Sequence, residues 1–310
     1  MPWTAAYIPD QTGRTAVVTG ANSGIGYQTA LELARRGARV VLAVRDTGRG
    51  QEALRRLRAE VPAAAAELGS LDLADLASVR AFAGSLPYGE LDLLVNNAGI
   101  MAVPLLRTVD GFETQFGVNH LGHFALTGLL LGRLLARPGA RVVTVTSGMY
   151  RTGRIGFDDL GAERGYRKWA AYSQSKLANL LFAMELQRRA DAAGRDLTSV
   201  AAHPGYAATN LQAVGPRLYG SRLRAGAAVV LNRLVAQSDA DGALPVLRAA
   251  TDPGVRGGEV LGPSGPFELR GTPKLVRVAN RARDRAVARR LWETSERLTG
   301  VRYEELERPG

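Results

Sequence analysis

The sequence predicts a single α/β domain, one doubly wound parallel sheet of about seven strands with helices on both faces. Three observations predict it. Short apolar, β-branched runs alternate with longer runs of helical period along the whole chain. The first of these runs passes directly into a glycine cluster that opens a helix. No internal repeat, low-complexity stretch or linker divides the 310 residues, so a length that would allow two domains reads as one, residues 1–310.

After a short leader over 1–13, Thr15–Thr19 (Thr-Ala-Val-Val-Thr) reads as a buried strand. It enters Gly20-Ala21-Asn22-Ser23-Gly24-Ile25-Gly26 and then a helix over 27–36. Glycines let the backbone turn tightly and approach a pyrophosphate, and a helix N-terminus offers free N–H groups and a positive dipole end. Gly20, Asn22, Ser23, Gly24, Ile25 and Gly26 are therefore candidate nucleotide-binding residues of a Rossmann-type sheet, spaced Gly-x-x-x-Gly-x-Gly. The second strand, Arg39–Val44, ends at Arg45-Asp46. A residue there lies near the adenosine ribose, where an acid accepts from a 2′-hydroxyl and an Arg accommodates a 2′-phosphate. Arg45 stands 19 residues after Gly26 and points to NADP(H) over NAD(H); Asp46, one register position on, would favour the reverse.

A polar helix over 49–60 leads to a third strand over 64–71, ending in Asp72-Leu73. Asp72 at this strand end can accept from an adenine amino group, with Leu73 beside it. The other reading of Asp72 is a cap for the helix Leu76–Ser85, a role Asp75 can fill instead. A fourth strand over 91–95 runs into Asn96-Asn97-Ala98-Gly99, small and amide residues that let the chain pass under a cofactor; a plain turn is the alternative for Asn97, Ala98 and Gly99. The helix over 110–136 carries Asn119 among Phe116, Val118, Leu121 and Phe124. A buried amide needs partners. Asn119 either opens the helix ladder and holds a water or is a satisfied core amide.

The fifth strand, over 141–146, ends at Ser147, whose hydroxyl faces the same crevice as the glycine turn. Residues 148–170, with Gly153, Gly156, Gly161 and Gly165, read as an inserted loop. The helix over 168–189 follows and carries Tyr172-Ser-Gln-Ser-Lys176. Residues four apart share a helix face, so the phenol and the ammonium are neighbours. A phenol titrates at about 10 in water. The adjacent cation is expected to lower that and make Tyr172 a general acid/base for an alcohol or carbonyl. Arg is this chain's habitual cation: of 40 basic residues only Lys168, Lys176 and Lys274 are lysines, which singles out Lys176. A sixth strand, Leu197–Ala202, precedes His203-Pro204-Gly205. The stretch 206–236 is apolar with interspersed Arg and is expected to form a helical lid over a lipophilic pocket, or else ordinary core helices. A helix over 239–251, a seventh strand over 258–261 and a last helix over 282–298 complete the chain.

Composition removes several alternatives. With no cysteine, thiol catalysis and disulfides are excluded. His120, His123 and His203 are too scattered for a metal site. The net charge of +11 suits anionic ligands. The arginines of 270–290 carry no interleaved aromatics, so they read as a solvated face and not as a nucleic-acid site. No apolar run reaches signal-peptide, anchor or membrane-spanning length, so a soluble, cytoplasmic protein is expected.

Taken in order, Thr19-Gly20-x-x-x-Gly24-x-Gly26, Asn96-Asn97-Ala98-Gly99, Asn119, Ser147, Tyr172-x-x-x-Lys176 and Pro204-Gly205 with Thr209 resemble the short-chain dehydrogenase/reductase family over nearly the whole chain. Val44-Arg45-Asp46, the long gap before Tyr172 and Ser173-Gln174-Ser175-Lys176-Leu177-Ala178-Asn179 are most similar to its retinol dehydrogenase and WW-domain oxidoreductase branch. The resemblance implies an NADP(H)-dependent oxidoreductase acting on a lipophilic alcohol, ketone or aldehyde. Tyr172 would exchange the proton, Lys176 would lower its pKa and bind the nicotinamide ribose, Ser147 would hold the substrate oxygen, and Asn119 would fix a water in a relay from Lys176. It places Pro204, Gly205 and Thr209 at the cofactor. It also implies that copies can pair through the two long helices. A nucleotide-binding sensor without turnover is the competing reading, and the four competent residues at the reacting positions argue against it.

Overall fold

A computed structural model describes residues 2–205 and 237–307. The proposed lid over 206–236 and Thr209 lie outside the described residues.

Strands β1 (Thr15–Thr19), β2 (Arg39–Val44), β3 (Ala66–Ser70), β4 (Leu93–Asn96), β5 (Ala140–Val145), β6 (Leu197–Ala202), β7 (Val260–Pro263) and β8 (Pro273–Leu275) form one sheet in the order β3-β2-β1-β4-β5-β6-β7-β8. All pairs are parallel except β7–β8. All five residues of β1 are buried, as expected of a parallel strand covered on both faces. The eighth strand adds one to the number the sequence predicts. Pro-Lys-Leu is too short to show a period, and an antiparallel hairpin partner supplies its ladder.

The helices are α1 (Gly24–Arg35), α2 (Thr47–Glu60), α3 (Leu76–Ser85), the single turn α4 (Thr114–Phe116), α5 (Gly122–Leu135), α6 (Lys168–Ala192), α7 (Asp239–Thr251) and α8 (Arg285–Thr299). Among the described residues, no helix is long and apolar enough to cross a membrane. One face of the sheet packs against α1, α2 and α7 through residues such as Leu33, Leu57 and Val246. The other packs against α3, α5 and α6 through Val79, Leu130 and Leu186. The chain leaves β1 towards β2 and β3 and returns to β4 on its other side, so the β1 and β4 ends flank the topological switch point, where such sheets bind ligands.

The last helix lies outside this second layer and covers α5 and α6. Trp292 stacks on Phe182 with ring centroids 5.8 Å apart and meets Phe124 edge-on at 5.2 Å. Tyr303 lies 4.4 Å from Trp292 and donates its hydroxyl to the Phe124 carbonyl at 2.7 Å. Asp284 starts α8 by accepting from the N–H groups of Ala286 and Val287. The helix expected over 282–298 therefore begins three residues later, where a carboxylate can satisfy its free donors.

Candidate active site

Three chain crossings build the floor. After β1, Gly20 and Gly24 adopt φ of +66° and +59°, a region where a side chain would be strained. Gly26 makes the closest approach: a Cβ there would lie 2.4 Å from Asn97 Nδ2 and 2.5 Å from the Gly20 carbonyl oxygen. Ser23 is the N-cap of α1, yet its side chain makes no capping bond, and Ile25 is buried just inside the helix. The glycine turn thus brings tightly turned backbone to an uncapped helix start, which fits a pyrophosphate. Asn22 stands half-buried on the same turn.

The segment after β4 is pinned under that turn. Asn97 N–H and Ala98 N–H both donate to Thr19 Oγ1 at 2.9 Å, and Asn97 Nδ2 donates to the Thr19 carbonyl at 2.8 Å. A plain turn needs no such docking. Gly99 is wedged between two polar side chains of the site: a Cβ on it would lie 3.1 Å from Asn119 Oδ1 and 3.4 Å from Lys176 Nζ.

At the β2 end, Arg45 is exposed and has no side-chain partner among the described residues. Asp46 is committed elsewhere. It caps α2 by accepting from Arg49 N–H at 3.0 Å and pairs with the Arg49 guanidinium at 3.4 Å. At the β3 end, Asp75 caps α3 through Ala77 N–H at 2.8 Å. Asp72 accepts from Ala74 N–H at 2.9 Å through one oxygen only, and Leu73 is buried next to it against Gly122. Asp75→Ala is therefore expected to cost about 1 kcal/mol of stability, read as a lower urea midpoint with NADPH affinity unchanged. A fall in affinity instead would give Asp75 the ligand role.

The helix predicted over 110–136 starts at Thr114 and is interrupted. Residues Gly117–Leu121 form a π turn, closed by Gly122 N–H donating to the Gly117 carbonyl five residues back. Asn119 sits in it, fully buried. Its Oδ1 accepts from Ile100 N–H at 2.8 Å, and its Nδ2 donates to the Ile100 carbonyl and to Ser175 Oγ, both at 2.9 Å. Both sequence readings of Asn119 hold in part: the ladder opens, and the amide is satisfied by the chain itself. π turns of this kind concentrate at functional sites.

Residues 148–170 begin with a tight 3-10 helix, Gly148–Thr152, after which the chain is irregular until α6 starts at Lys168. Tyr172 and Lys176 are buried, 5% and 3% exposed. Thr146 Oγ1 donates to the Lys176 carbonyl at 2.7 Å, which sets α6 against the end of β5. Lys176 Nζ donates to the Val145 carbonyl at 3.3 Å and lies 5.7 Å from the centre of the Tyr172 ring. Burial lowers the Lys176 ammonium to about 8. Burial also pushes the Tyr172 phenol up to about 12, with a hydrogen bond to Ser147 acting in the opposite direction. The lowering expected from the neighbouring cation is thus overturned. Desolvation penalises the phenolate more than the ammonium, almost 6 Å from the ring centre, favours it. Ser147, half-buried, accepts from Met149 N–H at 3.3 Å.

After β6, Gly205 has φ +69°, and a Cβ there would strike the Leu269 carbonyl oxygen at 2.4 Å. Gln237 Nε2 donates to the Pro204 carbonyl. His203 accepts from Gly205 N–H at 3.3 Å and donates to Glu268 at 2.9 Å, and Arg151 pairs with the same carboxylate at 2.9 Å. This brace around Pro204-Gly205 is invisible in the sequence, because its members lie up to 117 residues apart. Thr19 and Ser175 were also missed as site residues; each stands inside a quoted motif, but only the fold shows which atoms they hold.

A family model described as short chain dehydrogenase matches residues 14–216. Retinol dehydrogenase 14 of Homo sapiens is 43% identical over 305 residues, covering 93% of this chain and 87% of that protein. Polyprenol dehydrogenase of Mus musculus is 45% identical over 305 residues, covering 95% and 86%. The crystal structure of an uncharacterised protein from Mycobacterium Paratuberculosis superposes with a TM-score of 0.81 at 48% identity, covering 98% of this chain and 99% of that one. A structure from Beutenbergia cavernae, described as an NAD(P) dependent gluconate 5-dehydrogenase with bound NADP, gives a TM-score of 0.62 at 29% identity, covering 80% and 94%.

Proposed function

Because the chain belongs to the short-chain dehydrogenase family, we propose that it is an NADP(H)-dependent oxidoreductase that interconverts a lipophilic alcohol and its ketone or aldehyde. The observation that carries this reading is the convergence of Tyr172, Lys176, Ser147 and Asn119 beside a glycine turn that opens a helix after β1. The nicotinamide, when bound, supplies the hydride. The residues of the chain bind and hold protons. Gly20, Asn22, Ser23, Gly24, Ile25 and Gly26 would receive the pyrophosphate, Asp72 and Leu73 the adenine, and Asn97, Ala98, Gly99, Lys176, Pro204 and Gly205 the nicotinamide half. A phenol held at about 12 keeps its proton at neutral pH, so Tyr172 is poised to donate to a carbonyl oxygen that Ser147 Oγ orients. Lys176 beside it stabilises the phenolate that donation leaves.

The lipophilic substrate class is supported by Trp169, 48% exposed, which stands edge-on to the Tyr172 ring at 6.3 Å and offers apolar surface next to the reacting phenol. The names of the retinol and polyprenol dehydrogenases agree with it. The choice of NADP(H) rests on the unpartnered Arg45 and on the commitment of Asp46 to Arg49. A fluorescence titration with NADPH and NADH in parallel tests it. Losing a charge-assisted bond to a 2′-phosphate, Arg45→Ala is expected to weaken NADPH by about tenfold or more and NADH hardly at all. Equal losses would remove Arg45 from the ribose. The activity itself is tested by following NADPH oxidation across a panel of lipophilic aldehydes and ketones.

A further inference from the structure

His123 lies one turn beyond Asn119, fully buried, and no step above uses it. Its Nε2 is 2.8 Å from Thr19 Oγ1, and its Nδ1 is 3.0 Å from the carbonyl oxygen of Asn119. The two contacts fix its protons. Thr19 Oγ1 already accepts from Asn97 N–H and Ala98 N–H, which fills both of its lone pairs. Its single hydrogen is then the only group it can offer His123, so Nε2 must be bare and accepting. The Val95 carbonyl also lies within reach of that hydrogen, but at a longer 3.3 Å. A carbonyl oxygen can only accept, so Nδ1 must carry the ring's proton. The second proton of an imidazolium would point at an oxygen with no lone pair left. Burial, with the Lys176 charge acting in the same direction, lowers the ring to about 4.

We propose that His123 is a positioning residue, held as the neutral Nδ1–H tautomer, which locks the Asn119 turn to the strand end and glycine turn on which the cofactor would rest. The link runs from Asn97 and Ala98 N–H, through the Thr19 hydroxyl and the imidazole, to the Asn119 main chain. From Asn119 it continues through the side-chain amide to Ser175, whose hydroxyl donates to the Tyr172 carbonyl at 2.8 Å. The His123 main chain is held from behind. Thr127 Oγ1 donates to the His123 carbonyl at 2.8 Å and accepts from Asn96 Nδ2 at 2.9 Å. The cofactor floor and the proton-transfer residues are therefore set in register by one heterocycle that touches neither ligand. Its role in turnover rests on the oxidoreductase reading above; its tautomer does not.

Two measurements test this. Nitrogen NMR of protein labelled in its histidines, with the His123 signal identified by its loss in His123→Asn, is expected to show Nδ1 protonated and Nε2 bare at every pH from about 8 down to about 5, above the ring's lowered pKa. A protonated Nε2, or titration near the ordinary value of about 6.5, overturns the proposal whatever the enzyme does. The second measurement separates the two contacts. An Asn amide nitrogen takes the place of Nδ1 and keeps the donor to Asn119, whereas a Gln amide oxygen takes the place of Nε2 and keeps the acceptor for Thr19. Each substitution breaks the link at one end, so both are expected to lose about tenfold or more in kcat, with the NADPH Kd of both close to wild type. Wild-type kcat in either folded variant means that the ring only packs. An inactive wild type with the expected tautomer means that the oxidoreductase reading has failed and the hydrogen-bond assignment has not.

Discussion

Tyr172→Phe is expected to reduce NADPH-dependent carbonyl reduction by about 10²- to 10⁴-fold, the span of general acid catalysis, while the NADPH Kd stays near wild type. The substitution removes one oxygen from a ring 5% exposed and leaves its packing under Trp169 intact. The lost atom is a proton donor whose pKa, about 12, keeps it fully protonated while Lys176 beside it titrates at about 8. The pair also sets the pH profile. Below about 8 the ammonium is charged and stabilises the phenolate that forms as Tyr172 gives up its proton; above it that support is lost. The reductive kcat is therefore expected to decline as pH rises through about 8. Single-turnover NADPH oxidation across pH reads both effects. A Phe variant with nearly the wild-type rate would show that another group supplies the proton.

Acid is expected to unfold this protein steeply, and through two histidines. Burial lowers His120 to about 3 and His123 to about 4, while the unfolded chain returns both to 6.5. Between these limits the unfolded state binds protons that the native state refuses, so stability falls as pH falls. The contribution is fully present above pH 6.5 and is lost progressively down to about 4 for His123 and about 3 for His120. A tenfold change in proton affinity is worth about 1.4 kcal/mol, so each histidine contributes roughly 3 kcal/mol or more over its window. Urea midpoints measured from mildly alkaline pH down into the acid range are expected to hold nearly constant at first and then drop. His120→Phe should remove about half of the slope, since His120 sits among the rings of Phe116, Phe124 and Phe182 and its Nε2 hydrogen-bonds Ser295 at 2.9 Å. A variant that keeps the full slope would mean that other groups drive the unfolding.

The framework was legible because parallel strands buried on both faces announce themselves as apolar runs. Thr15–Thr19, Arg39–Val44 and Leu197–Ala202 match the expected bounds, as does the helix Leu76–Ser85. The candidate site was legible as residue types at intervals: the glycine turn, Tyr172 with Lys176, and Ser147 at a strand end. What stayed hidden depends on depth and on contacts distant in sequence. The Tyr172–Lys176 interval shows that the groups are neighbours, but it cannot weigh burial against charge, so it points the phenol's pKa the wrong way. An Asn among apolar residues signals a buried amide; the π turn around it follows from partners at Ile100 and Ser175. His120 and His123 show no metal-ligand pattern, but spacing alone says nothing of their neutral, hydrogen-bonded roles. The eighth strand carries no period because it is three residues long.

The covering of α5 and α6 by α8 sets the order in which this molecule can be completed. The helices that carry Tyr172, Lys176 and the turn at Asn119 bury Phe124 and Phe182 against Trp292 and Tyr303, residues far later in the chain. On a ribosome, Asn119, Ser147, Tyr172 and Lys176 all emerge long before the aromatics that seal their supporting helices. A nascent chain therefore carries Tyr172, Lys176 and the turn at Asn119 on helices whose outer faces are still bare and adhesive. Those faces are covered only when α8 and the segment through Tyr303 fold back over them.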